Sequence, residues 1–215
     1  MHNNKKTISR RGDSTMSKLS EQFMQQIQFI VEIDKLKTIF RRTKLIHDER
    51  YENDAEHTWH LAMMAIIMQP YANEQVDLLK VIKMLLVHDI VEIDAGDTFA
   101  YDVAGYADKE EREINAANRI FGILPDKQAE ELKQLWFEFE KRETAEAKFA
   151  NSIDRLQPMI HNYNNKGDTW QRFNITSDMV EAKNAYIKEG SHMLWEYAKH
   201  IIEDAVEKGY LNKKA

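Results

Sequence analysis

Only 7 Gly and 3 Pro interrupt 215 residues. These two residues punctuate a chain most strongly, because Gly readily adopts positive φ and Pro cannot continue a helix. A chain this long with so few of them must run in long regular segments. Its apolar residues recur at spacings of three and four rather than two, so the segments are expected to be helices. The fold class predicted is all-α, one compact helical bundle without internal repeats or a low-complexity linker. Helices are expected over about 20–40, 54–70, 77–93, 108–121, 126–141, 145–163 and 177–208, with a charged connection at 41–54 and a loop at 97–107. Asp54 is the expected N-cap of the second helix. The third is apolar around most of its circumference (Leu78, Leu79, Val81, Ile82, Leu85, Leu86), which predicts a buried central helix ended by Gly96.

Composition narrows the function. Lys+Arg number 30 against 36 Asp+Glu, a formal charge of −6. A mildly acidic chain lacks the clustered positive charge that sequence-independent nucleic-acid binding needs, so no nucleic-acid polymer is expected as partner. There is no Cys, which excludes disulfides, thiolate ligands and cysteine nucleophiles and leaves His and carboxylates for any metal. No run of about 18 apolar residues predicts a membrane span. The polar, basic stretch 1–17 lacks the apolar core of a secretory signal and reads as a disordered lead, with Met16 a candidate start. The single domain is then 18–212, and a cytoplasmic location is expected.

The residues able to do chemistry centre on His88-Asp89, inside the most apolar stretch of the chain. Two ionisable groups there must be satisfied, because an unpaired buried charge is costly. Neighbouring residues on a helix point about 100° apart and can grip one ion between them, although an ordinary ion pair would satisfy them as well. Glu92 follows one turn on, and Asp97 stands just beyond the Gly96 break. His57 opens the preceding helix, with His60 as a rival one turn later. Asp154 sits among Ala147, Ala150 and Ile153, whose small or slim side chains let backbones approach; a salt bridge to Arg155 or Lys148 is its alternative reading. Together these give two imidazoles and two carboxylates, a mixed N/O set suited to Mn²⁺, Fe²⁺, Co²⁺, Zn²⁺ or Mg²⁺. Arg41, Arg42 and Lys44 supply cations upstream of His57, or else form a solvated basic turn.

The order His57, His88-Asp89, Asp154 resembles the signature of HD-domain phosphohydrolases. The stretches Glu52-Asn53-x-Ala55-Glu56-His57, His88-Asp89-x-x-Glu92, Gly96-Asp97 and Thr144-Ala145-Glu146-Ala147-Lys148-Phe149 are similar to the bacterial 5′-deoxynucleotidases and the HD domain-containing protein 2 group, over roughly 19–163. The resemblance implies a helical HD bundle. One divalent metal ion is implied at His57, His88, Asp89 and Asp154, with Glu92 and Asp97 orienting or deprotonating the attacking water. The implied reaction is loss of phosphate from a nucleoside 5′-monophosphate, in a homodimer. Arg42 falls where those enzymes place a substrate-binding Arg. The Trp that follows it there is Thr43 here, which leaves the choice between ribose and deoxyribose open. The alternatives are an HD phosphohydrolase for triphosphates, cyclic nucleotides or alarmones, and a non-catalytic metal-binding helical protein. Trp195 and Tyr197 on the last helix are expected in the core.

Overall fold

The computed structural model describes the backbone of residues 11–102 and 104–214, and side-chain burial from residue 20 onward. The chain is helical almost throughout, as its shortage of breakers requires. Helix α1 (Arg11–Ile33) leads through a 3₁₀ turn (Asp34–Thr38) into β1 (Phe40–Lys44), which pairs antiparallel with β2 (Tyr51–Asn53). This small ribbon corrects the expectation of a helix to residue 40 followed by an irregular connection. The described part of α1 takes in residues 11–17 of the stretch expected as a lead, and residues 1–10 lie outside the described residues.

Helix α2 (Asp54–Met68) starts on a reciprocal cap. The Asn53 side chain accepts from the Glu56 N–H, and the Glu56 carboxylate accepts from the Asn53 N–H. The cap is therefore Asn53 and not Asp54; Asp54 is instead the first helical residue and is buried. Such a box satisfies two of the orphan donors of a helix start and contributes about 1 kcal/mol. Asp77 caps α3 (Leu78–Val87) by accepting from Leu79 and Lys80 N–H. The third helix was expected to run unbroken to 93. It instead tightens at His88 into a 3₁₀ segment (His88–Val91) before the single turn α4 (Glu92–Ala95), which Gly96 closes at φ +76°. In 3₁₀ geometry residues three apart eclipse, so Asp89 and Glu92 are stacked on one side.

Helices α5 (Lys109–Phe121), α6 (Asp126–Lys141) and α7 (Ala145–Asn164) follow at the expected places. The single last helix does not. In its place stand α8 (Asp168–Arg172), α9 (Ser177–Asn184), α10 (Ile187–Gly190) and α11 (His192–Glu207). The break falls at Gly190, whose backbone lies so close to Lys148 O and Ser152 Oγ of α7 that no Cβ fits. Ser152 Oγ also donates to Ile187 O, tying α10 to α7.

Two apolar clusters form the core. The larger surrounds α7 and joins Leu61, Val81, Leu85, Phe149, Ile153 and Leu156. The smaller packs α5 against the 3₁₀ segment through Ile90, Val91, Ala117, Ile120 and Phe121. Each such large side chain contributes about 1.5–3 kcal/mol on burial. His88-Asp89 lies where the two clusters meet, with the His88 ring against Phe139 at 4.7 Å between centroids. Trp195 is half-buried against the larger cluster, but Tyr197, expected inside, is 46% exposed. Among the described residues no helix is long and apolar enough to cross a membrane.

Candidate metal centre

Helix α2, the 3₁₀ segment and α7 converge at one point. His57 and Asp54, three apart at the start of α2, share its inner face, and both are fully buried. Asp154 occupies the inward face of α7, with Gln157 three residues on. His57 Nε2 lies 3.0 Å from Asp154 Oδ1 and 3.8 Å from Asp89 Oδ2. His88 Nε2 lies 3.0 Å from Asp89 Oδ1 and 3.7 Å from Asp154 Oδ1. The four residues singled out from the sequence are thus within a few ångströms of one another, 8% exposed or less. The expected pair of Asp154 with Arg155 also exists, at 3.7 Å, on the carboxylate's other oxygen.

The nitrogens and oxygens are arranged to receive a cation. His88 Nδ1 faces Leu85 O at 2.9 Å and His57 Nδ1 faces Gln157 Oε1 at 3.2 Å. Each ring therefore spends Nδ1 as donor to an oxygen and turns Nε2 to the centre, which is how ligating histidines are held. His88 Nε2 is buried and makes no hydrogen bond, and the same is true of Asp54 Oδ2 and Glu92 Oε2. Buried polar atoms are nearly always partnered, so several orphans around one point mark a place for a bound group. A hard or borderline divalent ion fits this donor set.

The charges agree. Burial and then neighbouring Asp89 push Asp54 up to about 7. Burial, Asp89 and Asp54 raise Glu92 further above the carboxylate range. Burial opposes ionisation of Asp89 too, yet His88 and Arg41 hold it down at about 2. Burial likewise opposes protonation of His88, but Asp89 and Asp154 push it up to about 10. The site thus holds more negative charge than Arg41 alone offsets, and it draws positive charge onto its imidazoles.

Arg41, on β1, reaches into this cluster, 3.2 Å from Asp89 Oδ2 and 3.5 Å from Asp54 Oδ1. Arg42 lines the adjoining cleft, and among the described residues it makes no ion pair. Lys44 turns away to Glu49 and Asp168. Asp97, on the loop after Gly96, is half-buried on the cleft wall, whereas Glu92 is buried beneath it. The cleft is open to solvent at its mouth and encloses about 120 Å³. Phe99, Tyr101 and Trp170 add aromatic lining, and Lys109, Arg155 and Lys183 add positive charge to the same cleft. Sequence reasoning missed Glu52, Asp54 and Gln157. Asp54 and Gln157 were findable, since each stands three residues from a site residue on the same helix.

A buried His/carboxylate centre between helices, opening on a cleft, defines a helical metal-site protein. The HD domain model matches residues 33–195, and the chain belongs to that family. The match runs past Tyr163, where recognisable motifs end in the sequence. A crystal structure of a predicted metal-dependent phosphohydrolase from Magnetospirillum magnetotacticum MS-1 is similar at 51% identity and TM-score 0.86, covering 89% of this chain and 96% of that one. The 5′-deoxynucleotidase HDDC2 of Homo sapiens is 28% identical over 62% of this chain and 65% of its own length, just under two thirds of that relative. The 5′-deoxynucleotidase hdd1 of Schizosaccharomyces pombe is 24% identical over 86% of each chain.

Proposed function

We propose that this protein is a metal-dependent phosphohydrolase that removes phosphate from nucleoside or deoxynucleoside 5′-monophosphates. The observation that carries the reading is the convergence of His57, His88, Asp89 and Asp154 on one point at the floor of the cleft, with Asp97 and Arg42 on its walls. The names of the human, fission-yeast and Magnetospirillum proteins support it.

In this reading those four residues hold one divalent ion, which supplies a Lewis acid to a phosphoryl oxygen and eases deprotonation of water. The chain's own groups do the rest. Arg42, with no competing carboxylate, meets the substrate phosphate, and a guanidinium suits its geometry. Arg41 is already committed to Asp89 and Asp54 and serves to hold those carboxylates in place. Asp97 approaches water from the open side and takes its proton; Glu92, buried below, orients Asp89 and the water from beneath. The aromatic wall of Phe99 and Tyr101 receives the nucleoside. Thr43 also lines the cleft, where it sets a short hydroxylated side chain beside Arg42. A triphosphate substrate is the second reading, favoured by the further cations Lys109, Arg155 and Lys183 in the lining of the same cleft.

A homodimer fits the surface. Trp59, Met63, Ile66 and Ile67 leave one face of α2 exposed and apolar, and Phe23, Ile27 and Ile30 do the same on α1. Contiguous exposed apolar faces mark association surfaces. Light scattering on the purified protein decides between one and two chains.

The test of activity is phosphate release from a panel of 5′-deoxynucleoside and 5′-ribonucleoside mono- and triphosphates with Mn²⁺, Co²⁺, Mg²⁺ or EDTA, beside Asp89→Ala. Release from monophosphates that needs metal and vanishes in the variant is the expected result. Release of pyrophosphate or triphosphate alone moves the assignment to the second reading, and no release from any substrate with metal bound removes it.

A further inference from the structure

His57 is fully buried and makes no contact with solvent, so something other than water must choose which of its nitrogens carries the proton. The hydrogen-bond chain behind it makes that choice from a fixed end. Lys44 O, on β1, can only accept, and it lies 3.2 Å from His161 Nδ1. His161 Nδ1 must therefore be the N–H. Burial lowers the pKa of His161, so the ring is neutral and its Nε2 is a lone pair. That Nε2 lies 3.1 Å from the Gln157 side chain and needs a donor, which fixes the amide: nitrogen toward His161, oxygen toward His57. The same amide nitrogen donates to Glu52 Oε1 at 2.6 Å, and a carboxylate confirms the orientation because it cannot donate in return. Gln157 Oε1 then accepts from His57 Nδ1 at 3.2 Å, with Glu52 Oε2 behind it at 3.5 Å, and His57 Nε2 is turned to the centre, 3.0 Å from Asp154 Oδ1 and 3.8 Å from Asp89 Oδ2.

We infer that Gln157 is a positioning residue that sets the tautomer and aim of His57, its amide orientation fixed in turn by Glu52 and by the His161–Lys44 carbonyl anchor. The inference rests on His57 being a metal ligand. It extends the device seen at His88, where the backbone does the same work directly through Leu85 O. Gln157 and His161 stand on α7 one turn apart, and Asp154 one turn before Gln157, so a single helix delivers a carboxylate to the centre and orders the imidazole opposite it. All of Gln157 is buried, and its amide uses both donor and acceptor sides, to Glu52 and His161 on one and to His57 on the other.

A rival reading of the same residues is a second cation site, since Glu52, His60 and His161 each bring a potential ligand atom within 4.8 Å of the others. The Gln157 amide nitrogen stands 2.6–3.3 Å from all three and fills that position with its own N–H groups. With two protons it satisfies Glu52 and His161, its shorter contacts, and leaves His60 the weakest.

The experiment is a Co²⁺ titration of the full chain against a competing chelator, on the wild type, His57→Ala, Gln157→Met and Gln157→Glu, with thermal unfolding of the metal-free proteins. Gln157→Met keeps the volume and loses the hydrogen bonds to His57, Glu52 and His161. Gln157→Glu keeps the acceptor for His57 but sets a carboxylate against Glu52. Loss of an outer partner of a ligating histidine lowers metal affinity about 10–100-fold. Both variants are expected to fall in that range, with Gln157→Glu the more affected at its Glu52 contact. A Gln157→Met that melts far below the wild type is replaced by Gln157→Glu together with His161→Phe, which leaves Gln157 in place and removes its anchor; a fall in affinity without a matching fall in melting supports positioning. Affinity within threefold of wild type in every folded variant overturns the inference. Wild type and His57→Ala binding Co²⁺ alike would instead overturn the metal reading of His57 on which it stands. Two Co²⁺ per chain, reduced to one by His161→Phe, would overturn it in favour of the second cation site.

Discussion

Replacing Asp97 by Asn separates the chemistry of the cleft from the stability of the fold. Asp97 sits half-buried on the loop after Gly96, and the change keeps its shape while removing one negative charge. As the proton acceptor for water it contributes a factor of about 10²–10⁴ to turnover, the ordinary worth of a positioned base. That is about 3–5 kcal/mol on the barrier. Stability should move the other way. Burial raises the pKa of Asp97, with Asp89 adding to it against the pull of Arg41. A carboxyl raised in the folded state binds its proton more tightly there than in the unfolded chain. Stability is therefore lost as pH climbs from the unfolded value through the folded one, and the ionised group costs stability above both. The metal-free Asp97→Asn protein should accordingly melt at or above the wild-type temperature at pH 8, and the metal-loaded variant should hold as much metal as the wild type. Steady-state phosphate release, metal analysis and calorimetry on the two proteins test the whole argument. A variant that keeps metal and turns over within tenfold of wild type refutes Asp97 as base. A variant that melts several degrees lower refutes the electrostatic account.

Two further outcomes follow from the same geometry. Carboxylates hold the pKa of His57 and His88 up against burial, so protons compete with a metal for both Nε2 atoms and affinity should rise with pH across the neutral range; calorimetry in buffers of differing ionisation enthalpy should find about one to two protons released per ion at pH 7, and none released would refute it. Gly190→Ala forces a Cβ against a backbone carbonyl that cannot rotate away, an overpacking cost at the upper end of the usual range, about 3 kcal/mol. For a chain of this size the melting temperature should drop by about 6–12 °C, and a drop under 2 °C would show that α10 stands off from α7 in solution.

Much of this was legible beforehand, and what escaped did so for identifiable reasons. The three central helices and the buried clustering of His57, His88, Asp89 and Asp154 were readable because buried ionisable groups in apolar helices have few explanations. The β1–β2 ribbon was not, since Arg41, Arg42 and Lys44 mask any alternation and its register is set by packing against α7 and α8. Arg42 O, for example, accepts from Thr169 and Arg172, neither of them local. The 3₁₀ segment hid inside an unbroken apolar run, because periods of 3.0 and 3.6 are indistinguishable over four residues. Gly190 did carry a signal, but its meaning depends on Lys148 and Ser152, about forty residues away.

The centre is assembled from distant parts of the chain: His57 and Asp154 are 97 residues apart. Asp154 follows Asp89 by about 65 residues, which at roughly 5–20 residues per second separates their synthesis by on the order of 3–13 s. Throughout that interval the nascent chain carries both imidazoles and one carboxylate but has no α7 to aim them. Its early grip on any ion is that of a loose, unselective chelator. With these four residues as the proposed ligands, the order of translation delays committed metal loading until the closing helix has emerged and docked.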